Sequence, residues 1–184
     1  MFVSPAKVIE NLDLEPAMTV ADFGCGSGHY TIEVAKKVGQ SGKVYAIDIQ
    51  QEMLSFVRSQ AKLMGLINIE TVWADLETAN ATNLRENSVD LVIISNILFQ
   101  AENKKQIIQE ALRILKSGGK TAIVEWDIEN QSASPAGKPA AFGPQIEKRV
   151  TSQNVKDLFA ESGFIFEKEF NPGEHHYGLI FKKS

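Results

Sequence analysis

A single cysteine, Cys25, is present among the 184 residues, so neither an internal disulfide nor a thiolate metal cluster can form. Histidine is almost as scarce. Of His29, His175 and His176, the last two are adjacent, and neighbours on a strand point to opposite faces, so no metal site is expected. No apolar run approaches the roughly 20 residues that a membrane helix needs. The amino-terminal stretch MFVSPAKVIENLDLEP lacks the basic start and apolar segment of a signal peptide. Basic residues come in pairs, Lys36-Lys37, Lys104-Lys105 and Lys182-Lys183, and the net charge is −4. A concentrated basic face for nucleic acid is therefore not expected. Repeats and low-complexity tracts are also missing. These absences leave the expectation of a cytoplasmic protein without a membrane span, monomeric or homodimeric.

What is there is alternation. A hydrophobic fraction of 43% and a charged fraction of 23% suit a globular chain, and one domain over 1–184 is the simplest division. The spacing predicts a leading helix over Ser4–Leu12, within an amino-terminal segment 1–16. Strands are predicted at Thr19–Phe23, Lys43–Asp48, Asn68–Ala74, Val89–Ser95 and Lys120–Trp126. Between them, helices follow His29 and fill Gln51–Met64 and Lys104–Leu115. The second of these carries Met53, Val57, Ala61 and Met64 on one face, and Gly118-Gly119 closes the third. After a helix near Gln153–Ser162, two strands, Phe164–Phe170 and His175–Phe181, flank Asn171-Pro172-Gly173, a hairpin signal. The implied fold is α/β and doubly wound, with a mostly parallel seven-stranded sheet closed by an antiparallel hairpin strand. Residues 127–149, with Pro135, Gly137, Pro139, Gly143 and Pro144, break the alternation and read as a substrate loop.

The chemistry concentrates in Asp22–Thr31, D-F-G-C-G-S-G-H-Y-T, where a strand passes through a glycine turn into a helix. Such a turn presents a positive helix end and lets a ligand approach the backbone closely. Asp48, about 20 residues past Gly28, ends the second strand, where a carboxylate can accept from ribose hydroxyls. Gly24, Gly26 and Gly28 do not have the G-x-G-x-x-G spacing usual for dinucleotides, and no separate substrate domain is in evidence.

These motifs resemble the class I methyltransferases that use S-adenosylmethionine, particularly the small ones similar to ubiquinone/menaquinone biosynthesis methyltransferases. D-F-G-C-G-S-G resembles their first motif, V-Y-A-I-D-I their second strand, W-A-D-L the region after the third and D-L-V-I-I-S-N the fourth. R-I-L-K-S-G-G resembles the approach to the fifth, with Ser117 where proline is common. The resemblance implies S-adenosyl-L-methionine as cofactor and a Rossmann-like fold. It implies that Gly24, Cys25, Gly26 and Gly28 surround the methionine carboxylate while Asp22 takes its ammonium. Asp48 would take the ribose, Ile49 and Met53 would line the adenine, and Asp75, between Ala74 and Leu76, would accept from its amine. Ser95 and Asn96 would sit on the sulfonium side. Cys25 is expected to occupy a permissive turn position rather than to act as a nucleophile.

For an acceptor that must lose a proton, His175 or His176, then Asp127, are the expected general bases, because the last strand starts at the sheet edge that holds the cofactor. Phe2, Phe99, Trp126 and Phe142 are candidates for an apolar acceptor surface. The acceptor itself is unidentified; a quinone-like molecule follows only from the family, and the short run before Thr19 offers little lid over a bulkier or macromolecular one. Two other classes compete, a non-catalytic subunit that binds the cofactor but methylates nothing, and a nicotinamide-dependent oxidoreductase. The latter would share the turn and Asp48 but not Asp75 or the hairpin.

Overall fold

In the computed structural model, residue 3 and residues 5–128 and 143–184 are described. The elements run α1 (Pro5–Glu10), β1 (Thr19–Phe23), α2 (His29–Val38), β2 (Lys43–Asp48), α3 (Gln51–Leu63), β3 (Ile69–Trp73), β4 (Val89–Ser95), α4 (Lys104–Ile114), β5 (Leu115–Trp126), α5 (Ser152–Glu161), β6 (Phe164–Gly173) and β7 (His176–Lys183). They build one seven-stranded sheet in the order β3-β2-β1-β4-β5-β7-β6. The first five strands in that order pair in parallel, and β7 runs antiparallel to both β5 and β6. The aliphatic runs of the central strands are buried on both sides, as a sheet covered by helices on each face requires.

Adjacent strand residues point to opposite faces, which divides the core. Ala21, Phe23, Val92, Ile94, Ile123 and Leu179 pack with Ile107, Ile108 and Ala111 of α4 and Phe159 of α5. Val20, Leu91, Ile93, Ala122, Val124 and Ile180 pack with Val8 and Ile9 of α1 and Val34, Ala35 and Val38 of α2. Phe159 is fully buried and stacks on Phe181 with ring centroids 4.3 Å apart. Phe159→Ala is expected to remove about 3–5 kcal/mol of stability, visible as a lowered melting temperature in calorimetry.

Three boundaries differ from the sequence expectation. On α3 the buried face is Leu54, Val57 and Ala61, while Met64 is half exposed at the helix end. Here packing against Cys25 and Ala46 decides, not apolar spacing alone. Gly118-Gly119 does not close α4: β5 already starts at Leu115, paired with Val89, and the glycines lie in an irregularity before Lys120 joins Leu91. The hairpin turns at Glu174-His175, whereas Asn171-Pro172-Gly173 forms a shifted stretch within β6, pinned by the Gly173 N–H donating to Asn171 Oδ1 at 2.9 Å. The leading helix is described from Pro5 onward. Phe2, Ser4, Phe142 and most of the 127–149 segment, Pro135, Gly137 and Pro139 included, lie outside the described residues.

Candidate active site

Parallel register sets the site. Phe23 stands beside Ile47 and Ile94, and Asp48 beside Trp73, so β1, β2, β3 and β4 finish along one sheet edge. The strand order reverses at β1 and β4, and ligands settle where two such strand ends part. There a cleft of about 520 Å³ opens, lined by Gly24, Gly26, Asp48, Ile49, Ala74, Asp75, Leu76, Ser95 and Asn96. That volume suits a nucleoside-sized ligand. Its remaining wall, absent from the sequence reading, includes Gln50, Glu77, Ile97, Gln100 and Ala101. Ile97 directly follows S-N at the end of β4 and Gln100 comes three residues later, so the rule that placed Ser95 and Asn96 extends to them. A second cavity of about 590 Å³ lies across the turn among Pro5, Ile9, Gly28, His29, Phe56 and Met64. It lacks the carboxylates of the strand ends.

Within the turn, Gly24 has φ +67° and Gly28 has φ +81°. A Cβ at Gly24 would lie 2.4 Å from Ile97 Cγ2, and one at Gly28 would lie 2.7 Å from Val57 Cγ2. Both positions therefore need glycine for its backbone and for its missing side chain. The expectation that Gly24, Cys25, Gly26 and Gly28 surround the carboxylate meets one difference. Gly24 and Cys25 donate their N–H groups to Ile47 O, Gly26 donates to Asp48 Oδ2, and Gly28 donates to Cys25 O. These four amides are engaged inside the protein, so the turn offers a ligand closeness rather than four vacant donors.

Asp48 is 6% exposed and accepts from both Gly26 N–H and Gln50 N–H at 2.9 Å, clamping the glycine turn to the start of α3. Each carboxylate oxygen retains a second acceptor direction. Asp75 accepts from Glu77 N–H at 3.0 Å and is otherwise open to solvent at the cleft. Ile49 is 56% exposed, its carbonyl held by the Trp73 indole N–H at 2.8 Å. Asn96, at φ +56°, has a buried Oδ1 with no partner among the described residues.

Asp22 lies behind the cleft wall, 2% exposed, accepting from the Thr31 hydroxyl at 2.5 Å. Burial pushes its carboxyl up to about 6 against the lowering pull of Thr31. Burial raises the Tyr30 phenol to about 12, against the lowering pull of Ser95. Cys25 is buried near Asp22 and Asp48; burial first, and then those carboxylates, push its thiol far above the ordinary range, which suits a packing role. Met53 and Cys25 do not line the cleft, and Gly28 faces the second cavity instead.

His175, His176 and Asp127 are likewise not brought into the cleft wall. His175 sits in the hairpin turn, and its carbonyl accepts from Asp127 N–H at 2.8 Å. His176 is 5% exposed with its ring centroid 4.1 Å from that of Trp126; burial lowers its pKa to about 4, leaving it neutral. Arg149 lies over the Trp126 ring at 5.5 Å and donates to Asp127 O at 2.7 Å. The group ties the exit of β5 to β7.

Among known proteins, a family described as "Methyltransferase domain" matches residues 14–163. The ubiquinone/menaquinone biosynthesis C-methyltransferase UbiE of Hydrogenovibrio crunogenus is 33% identical over 118 residues, which cover 64% of this chain and 46% of that protein. The chain spans about half the length of the curated relatives it matches. A crystal structure of a SAM-dependent methyltransferase from Aquifex aeolicus superimposes with a TM-score of 0.85 at 25% identity, covering 99% of this chain and 90% of that one. The [4+2]-cyclase SpnF has the same fold, with a TM-score of 0.78 at 16% identity over 97% of this chain and 79% of its own. A strand–glycine turn–helix followed by an acidic second-strand end, a cleft at the sheet's reversal point and an antiparallel closing strand thus coincide with a family match over most of the sequence, and the chain belongs to the methyltransferase domain family.

Proposed function

We propose that the chain transfers the methyl group of S-adenosyl-L-methionine to a small acceptor, with a quinone-like molecule favoured by the relatives that act in quinone biosynthesis. One observation carries the reading: Asp48 lies at the cleft beside the glycine turn, whose Gly26 lines the cleft with open space where a side chain would stand. The donor's parts also match the residues at hand. Asp48 supplies ribose acceptors, Asp75 an acceptor and Ile49 an apolar surface for adenine, and the orphaned Asn96 Oδ1 a place for a donor group. Asp22 supplies negative charge for the methionine ammonium.

When bound, the cofactor supplies an already activated methyl group on a sulfonium. The protein's task is then to align the acceptor and keep water out. None of the three expected bases lines the cleft, so this reading rests on alignment. A nicotinamide cofactor is less well served, because the turn lacks the usual dinucleotide spacing and four of its amides are engaged internally.

Mass spectrometry of ligands co-purified with the protein is expected to find S-adenosylmethionine or S-adenosylhomocysteine. A labelled methyl donor is then expected to mark a phenolic or quinol acceptor in a panel. Recovery of a nicotinamide dinucleotide would replace the reading with an oxidoreductase. Label appearing on protein alone would move it to a macromolecular acceptor. Donor binding with no transfer to any acceptor would leave a binding role, a use of the fold that fold likeness alone does not exclude.

A further inference from the structure

A fully buried acid, Glu125, interrupts the aliphatic run of β5 and is not used by the function proposed above. It does not line the cleft, yet it reaches the cleft's wall. Its Oε1 accepts from Leu98 N–H at 2.6 Å, and the amides of Trp126, Phe99 and Ile97 also favour its charged form. Burial outweighs them and raises the carboxyl to about 7.

The Ile97, Leu98 and Phe99 amides begin the segment that follows β4. Asn96 leaves the strand in a left-handed conformation, its N–H still bonded to Val124 O at 2.9 Å. The chain then coils, with Gln100 and Ala101 donating to Ile97 O. The start of such a coil has exposed N–H groups, and a carboxylate is the strongest acceptor for them. Here the acceptor comes from 27 residues further along the chain, out of the neighbouring strand. Ile97, held between Asn96 and Leu98, occupies the space left by the missing side chain of Gly24. Glu125, Leu98, Ile97 and Gly24 thus form one chain of contact from the interior of β5 to the glycine turn.

We propose that Glu125 is a positioning residue for the methyl-donor site: its carboxylate fixes the Asn96–Ala101 segment and, through Ile97 against Gly24, sets the donor affinity without touching the donor. The inference rests on the cleft being the donor site. The Leu98 bond also gives one oxygen of this buried acid a partner, without which burying it would be strongly disfavoured, while Oε2 has none among the described residues.

The test compares Glu125→Gln and Glu125→Leu with Glu110→Gln. Glu110 is equally buried but binds Thr82 and Arg113 away from the cleft. Titration with S-adenosylhomocysteine is expected to show about tenfold or greater loss of affinity for the Leu variant, the order expected when a buried acceptor is removed. The Gln variant, which retains an acceptor oxygen, is expected to stay within about threefold. Glu110→Gln is expected to lower the melting temperature while leaving affinity unchanged. Hydrogen exchange on the unliganded wild-type protein gives a reading independent of both donor and variant: the Leu98 amide should be protected, and should exchange faster in the Leu variant.

A Leu98 amide that exchanges freely in wild type overturns the inference, whatever the variants do. A folded Leu variant with wild-type affinity overturns it and leaves the donor site standing. Protection at Leu98 in a wild-type protein that fails to bind S-adenosylhomocysteine overturns the donor reading, and this inference with it.

Discussion

Asp48→Ala is expected to weaken S-adenosylhomocysteine binding by at least about 100-fold, measured by isothermal titration. Each charge-assisted hydrogen bond to a ribose hydroxyl is worth about 1.5–3 kcal/mol, and about 1.4 kcal/mol is a factor of ten. Losing two such bonds therefore exceeds two orders of magnitude. The carboxylate has a second task, because it accepts from Gly26 N–H and Gln50 N–H at 2.9 Å. Alanine strands both amides, so the melting temperature should fall as well. Asp48→Asn separates the two contributions. It keeps one acceptor oxygen and removes the charge, and its affinity should lie between those of wild type and the alanine variant. Near wild-type affinity for Asp48→Ala would remove Asp48 from the donor site.

The second large effect is a pH dependence set by Asp22. Burial holds its folded pKa at about 6, above the ordinary 3.8. A group with a raised folded pKa stabilises the unliganded protein fully below its unfolded pKa, and that contribution is lost as pH rises through the folded value. Between pH 3.8 and about 6 that stabilisation is therefore progressively lost as the pH rises. The donor's ammonium makes the opposite demand, since it favours the carboxylate. Affinity for S-adenosylhomocysteine should accordingly fall by up to about tenfold per unit as pH drops below 6. The rise in melting temperature on adding ligand should be larger at pH 7.5 than at pH 5. Asp22→Asn should flatten this profile and weaken binding at pH 7.5. An unchanged slope in that variant would assign the titration to another group, and Asp22 would lose its role toward the ammonium.

The strands and the opening motif were legible because their signals are local. Thr19–Phe23, Lys43–Asp48 and Val89–Ser95 have the expected bounds, since mostly apolar runs closed by Gly24, Asp48 or Ser95 leave little choice. Asp48, Asp75, Ser95 and Asn96 could be placed at one edge because parallel strands bring their carboxyl ends together. The hairpin was legible in kind but not in position: Asn171-Pro172-Gly173 has strong turn composition, yet register with β7 moved the turn to Glu174-His175. His176 is expected at the cofactor's rim because the last strand starts at that sheet edge. It is buried with its ring tilted against that of Trp126, and no spacing rule encodes that contact.

Glu125 had a signal that was not taken up, a lone acid inside A-I-V-E-W, but its partner could not have been named from the chain. Local patterns determined the order and type of elements, the glycine turn and the acid that closes the second strand, because backbone conformation and side-chain periodicity act over a few residues. Which amides those acids hold, which cavity each glycine faces and which histidine is buried were decided only by the folded structure. Those facts depend on distances between residues far apart in sequence, and the packing of seven strands and their helices sets such distances together.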